Sequence, residues 1–157
     1  RNMNKIFKLI LVLSLLVFST VSISGCSSEK EKIAKEYTGV WRADKKSAWT
    51  GSDQQHYFIF SPNQTNENIL DVTLRIFDKN NSVFSGSASK KEPELSSTNK
   101  TNAIIDEKLK IVQLQDLFKT QIVITTEGDQ KFINYDGKKF VKISTEPNIP
   151  ELKDIKF

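Results

Sequence analysis

From Tyr37 onward the chain alternates apolar and polar residues with a period of two. The clearest case is ILDVTLRI, residues 69–76: Leu70, Val72, Leu74 and Ile76 fall on one face, with Asp71, Thr73 and Arg75 opposite. Successive side chains of a strand point to opposite faces, so this pattern predicts a strand with one buried side. Phe58 and Phe60 share a face in QHYFIF, and Phe118, Thr120, Ile122 and Ile124 are aligned in the same way. Further strands are expected at residues 40–43, 82–88, 109–115, 131–135 and 138–144. No segment carries a sustained apolar repeat of helical period.

Turn chemistry points the same way. Asp136-Gly137 separates KFINY from KKFVKI, and a two-residue Asp-Gly connection favours a tight hairpin because both positions accept positive φ. Counting outward from it pairs Ile133 with Phe140 and Phe132 with Val141. Gly128-Asp129 marks another turn, before Phe132, and Asn80-Asn81 one before Val83. The expected fold is all-β: a small antiparallel meander of about eight strands, closed as a barrel or folded as a sandwich. Two polar stretches, residues 44–54 (DKKSAWTGSDQ) and 90–102 (KKEPELSSTNKTN), lack the alternation and read as long loops. Residues 37–145 thus form the β domain, and 146–157, with two prolines, an extended tail across its surface.

The first 25 residues have a different character. Arg1, Lys5 and Lys8 precede an almost unbroken apolar run from Leu9 to Phe18, and Ser22, Ser24 and Gly25 follow it. Basic head, apolar middle and small-residue exit form an export signal over residues 1–25. The apolar segment of about 15 residues is shorter than the roughly 20 needed to span a bilayer comfortably. Cys26, the single cysteine of the chain, follows directly.

Ile23-Ser24-Gly25-Cys26 resembles the lipobox of bacterial lipoproteins, an aliphatic residue and two small ones before the cysteine. The resemblance implies cleavage between Gly25 and Cys26, a diacylglyceryl group on the Cys26 thiol, and often a further acyl chain such as palmitate on its new amino group. Two or three chains hold a protein stably on a bilayer, whereas one holds it marginally. Residues 26–36 would then be the lipidated N-terminus and a charged tether, with a short helical turn over 29–36. Ser27, in place of the Asp that retains lipoproteins at an inner membrane, favours the outer membrane in a two-membrane organism. In a one-membrane organism the same anchor would hold the domain on the outer face of the cytoplasmic membrane.

Removing the signal changes the electrostatics. The whole chain carries +4, from 23 Lys and Arg against 19 Asp and Glu. Three of the basic residues lie in the signal, leaving 20 against 19, or +1. A nearly neutral domain of interspersed signs does not attract nucleic acid, and that partner class is set aside.

Gly39-Val40-Trp41 is similar to the G-x-W at the first strand of lipocalin-like barrels, and a closing hairpin of the DGKKFVKI kind recurs in small lipocalin-like lipoproteins. The resemblance implies that Trp41 plugs one barrel end; read as a residue on an apolar strand, Trp41 simply fills the core. The Arg that packs on this Trp in the lipocalin pattern has no counterpart after Arg75. Trp49, in a polar loop, and His56, on the face of Phe58 and Phe60, complete the candidate contact residues. A lone histidine supplies neither a metal site nor a catalytic base without a nucleophile, so no metal, cofactor or catalytic residue is assigned. No nucleophile elbow, zinc motif or phosphate loop is present in the sequence. The leading expectation is therefore a lipid-anchored, non-enzymatic binding module facing another envelope protein. Its rivals are a carrier of a small apolar ligand and an inhibitor of a secreted enzyme. Cys26→Ala should abolish incorporation of a labelled fatty acid, read as loss of the labelled band; persistence of the label would remove the anchor.

Overall fold

The computed structural model describes residues 27–44, 54–79 and 93–155. The signal segment, Gly25, Cys26, Trp49 and the strand expected at 82–88 lie outside them. One helix, α1 (Glu29–Tyr37), precedes nine strands. These are β1 (Gly39–Ala43), β2 (Gln54–Pro62), β3 (Ile69–Lys79), β4 (Pro93–Asp106), β5 (Ile111–Leu114), β6 (Gln121–Ile122), β7 (Thr125–Glu127), β8 (Gln130–Tyr135) and β9 (Lys138–Ser144). They form a single antiparallel sheet in the order β6-β5-β4-β3-β2-β1-β9-β8-β7, strongly curled into a half-barrel. The two marginal strands, β6 and β7, are separated in sequence only by Val123 and Ile124.

Local chemistry starts each element. Ser28 caps α1 by accepting the Glu31 N–H at 3.2 Å, and Glu29 and Glu31 place negative charge in the first turn. Ile33 and Tyr37, four residues apart, share the one buried stripe of the helix. A nine-residue helix is too short to persist alone, so this burial holds it. Residues 29–36 thus pack into the domain rather than lying free of it. Asp136 (φ 49°) and Gly137 (φ 70°) form the β8–β9 turn, and the register pairs Ile133 with Phe140 and Phe132 with Val141, as turn counting predicts. Gly39 is needed for a different reason. Its φ is 132°, and a Cβ there would overlap the carbonyl oxygen of Ser144 where β1 crosses β9. The β1–β9 register slips at the next step, between Val40 and Trp41.

The concave face holds the main core. Trp41, Phe58, Phe60, Phe140 and Ile133 meet Ile33 and Tyr37 of α1, together with Leu70, Val112 and Ile122 from the far side of the curl. Phe58 stacks on Phe60 at 5.7 Å and meets Phe140 and Tyr135 edge to face, at 5.1 and 4.8 Å. A smaller apolar cluster on the convex face, Val40, Tyr57, Ile59 and Phe77, includes Ile155 of the C-terminal segment. Arg75 donates to the Pro150 carbonyl at 3.1 Å, fixing that segment across the sheet. The central strand β2 is consequently buried on both sides.

Two sequence expectations need correction. Residues 90–102, read as a patternless loop, contribute most of β4, at 14 residues the longest strand. Alternation is hidden there because its inward positions, Ser97, Asn99 and Thr101, are polar; pairing with β3, not an apolar face, defines the strand. Phe118 does not lie on a strand face with Ile122. It sits in the turn before β6, which contains only Gln121 and Ile122.

The Tyr37 hydroxyl donates to the Ile122 carbonyl at 2.7 Å in a buried site, and burial pushes its pKa up to about 12. Tyr37→Phe should strand that carbonyl and destabilise the fold by about 1–3 kcal/mol, measured by urea denaturation.

Candidate functional site

The sequence-selected residues fall into separate places. Trp41 is fully buried, with 0% exposure. Its indole N–H donates to the Tyr37 carbonyl at 2.9 Å, so it terminates α1 as well as filling the core. The Lys142 ammonium lies 5.3 Å from the Trp41 ring centroid and donates to the Glu36 carbonyl at 2.7 Å. Burial, then the neighbouring Lys131, lowers the Lys142 pKa. Trp41 is therefore no accessible contact residue. His56 is also buried, its ring 3.1 Å from the Gln54 side-chain oxygen. Trp49, Gly25 and Cys26 lie outside the described residues. Of the candidate positions, only Trp41 and His56 are described, and both are buried.

The interior of the half-barrel is occupied by side chains over the part next to α1, where Trp41, Phe60, Leu70, Val112 and Ile122 are each at most about 1% exposed. A cleft of about 1170 Å³ runs outside it, beside α1 and the β2–β3 turn. Glu31, Lys35, Glu67 and Lys131 mix both charge signs along that cleft, which selects no ligand charge.

The unexpected feature is the β5–β6 turn. Leu117 is 97% exposed and Phe118 87%, the most solvated large apolar side chains among the described residues. Antiparallel alternation points the β1–β2, β3–β4, β5–β6 and β8–β9 connections the same way along the sheet, but β5 pairs only with Ala103–Asp106 of β4, so the β5–β6 turn lies level with Asn102, well short of the end that carries the β3–β4 connection. The turn is firmly built. Asp116 accepts the Thr120 N–H at 3.0 Å and its hydroxyl at 2.9 Å. The Thr120 carbonyl accepts from Leu114 N–H at 2.8 Å, the Lys119 carbonyl from the Gln113 amide at 3.1 Å, and Lys119 takes φ 47°. Desolvation is the largest single influence on the Asp116 carboxyl and raises its pKa. The hydrogen bonds from Thr120 and the Phe118 N–H together outweigh it and bring the pKa below the usual aspartate value. A structured turn thus holds two adjacent apolar side chains in water. Periodicity concealed it, because Phe118 keeps step with Ile122 and Ile124 across the turn.

Among the described residues, no group of three His, Cys, Asp or Glu side chains is arranged to hold a metal ion. No helix of the described residues is long and apolar enough to cross a membrane. No protein-family model, curated protein or solved structure matches the chain.

Burial, followed by the charge of Lys138, lowers the His56 pKa, against smaller opposing effects of Asp78 and Asp136. The unfolded state therefore binds the proton more tightly, and the associated stability is full above the unfolded value near 6.5 and lost as pH falls through the lower folded value. The urea midpoint should drop between about pH 7.5 and about pH 5.5, and His56→Gln should remove that component of the slope.

Proposed function

We propose that this chain is a lipid-anchored bacterial envelope protein whose half-barrel is a non-catalytic binding module for another envelope protein. Leu117 and Phe118, held in water on an ordered turn, carry the reading. Exposed large apolar side chains on a rigid support are what a partner buries, and a few such anchors dominate most interfaces. The side chains that fill the interior next to α1 weigh against a carrier of an apolar ligand, since the cleft of about 1170 Å³ lies beside that interior and is lined by charges of both signs. Anchoring rests on the lipobox at Ile23–Cys26, which leads into α1 after only Ser27 and Ser28.

A photo-crosslinking amino acid at position 118, in intact cells, should trap a protein from the envelope fraction. Leu117→Ser with Phe118→Ser should weaken that association at least tenfold while changing the stability of the isolated protein by less than about 0.5 kcal/mol, because both side chains are already in water. An unchanged association in the double variant would remove this turn as the contact.

A further inference from the structure

The turn stands at the end of an open strand edge. β5 pairs with β4 only from Ala103 to Asp106, whereas β4 pairs with β3 from Ile104 back to Pro93, with one bulge at Ser96 between Ser97 and Leu95. Beyond β5, Gln115 N–H donates to the Asn102 carbonyl at 2.8 Å and the Thr101 hydroxyl to the Gln115 carbonyl at 3.3 Å. Asn102 therefore faces away from β3. Backbone groups of alternate residues in a strand point to the same side, so Thr98 and Lys100 also turn their N–H and C=O away from β3. Among the described residues no strand lies on that side of β4 between Leu95 and Lys100. Leu95 is 42% exposed near the far end of this edge, and Leu117 and Phe118 stand beyond its near end.

We propose that the free edge of β4 between Leu95 and Lys100 takes an extended peptide segment of a partner protein as an added strand, in line with β5, with Leu117 and Phe118 contacting its apolar side chains. The proposal rests on the binding-module reading and names how that module recognises its partner. An unpaired row of backbone donors and acceptors selects an extended backbone, and alternate side-chain contacts give it specificity. The 115–120 turn closes one end of the edge, which suits a segment that stops or bends there.

The test pans a displayed library of linear peptides of about ten residues against the full chain in detergent. Enriched peptides should alternate apolar residues and slow amide exchange at Thr98 and Lys100 while leaving β7 unchanged. Thr98→Pro removes an N–H that β3 does not use, a substitution tolerated at a sheet edge, and should weaken peptide binding at least tenfold with unchanged circular dichroism. Should that variant fail to fold, Phe118→Ser together with the exchange pattern carries the same test. Absence of any enriched peptide, protection confined to β6 or β7, or a wild-type dimer that Thr98→Pro dissolves would each overturn strand addition by a partner. So would Phe118-dependent binding to phosphatidylglycerol vesicles that Thr98→Pro leaves intact. Fatty-acid labelling and crosslinking at position 118 are read independently, so failure of the strand model is distinct from failure of anchoring or of the binding reading.

Discussion

The last turn of α1 has carbonyl groups that a nine-residue helix cannot satisfy itself, and the sheet is organised around receiving them. Ala34 is met by the N–H and hydroxyl of Thr38, Glu36 by Lys142 of β9, and Tyr37 by the indole of Trp41 on β1. In the reverse direction the Tyr37 hydroxyl reaches Ile122, in the marginal strand β6. One helix end is thereby bonded to the first strand, the last strand and one margin of the curled sheet. The bonds of Trp41 to Tyr37 and of Tyr37 to Ile122 are buried in the apolar core, where an unmet polar group is costly. The curl and the helix consequently require each other.

That arrangement assigns the two ends of the molecule different properties. Around α1 the interior is aromatic and closed, with Trp41 and Phe60 at its centre. Toward the other end the wall formed by β4 turns Ser97, Asn99 and Thr101 inward, and Leu74 and Tyr135 are only partly buried. Burial is concentrated near α1, and the polar wall of β4 lies away from it. Such a division is common where loops carry contacts on a rigid support.

Strands with one buried face were legible from the sequence alone. Residues 69–76, the Asp136-Gly137 hairpin and its register follow from period two and turn chemistry, because burial and positive φ leave marks on residue type. The turn at 115–120 was not legible. Leu117 and Phe118 look like core residues, and only the Asp116 side chain, bonded to Thr120 four positions on, distinguishes a turn from a strand. β4 escaped for the opposite reason, since hydrogen bonds to β3 define it and backbone pairing writes no pattern into side chains. The long-range bond from Tyr37 to Ile122 is likewise invisible to any local reading. The burial of Trp41 was expected, but its bond to the helix end depends on a neighbour that only the fold supplies.

The position of β9 has one more consequence. The last strand in the chain lies in the middle of the sheet, between β1 and β8, and not at a margin. A nascent or truncated chain ending before Lys138 would hold β1 to β6 as an open ribbon, with β7 and β8 lacking any ladder to join it. Completion must therefore await Lys138–Ser144, whose pairing with β1 is a non-local contact of the sort that slows folding. Until β9 pairs with β1, the edge of β1 that it covers stays open, so the apolar face of the ribbon is sealed on that side only in the last step.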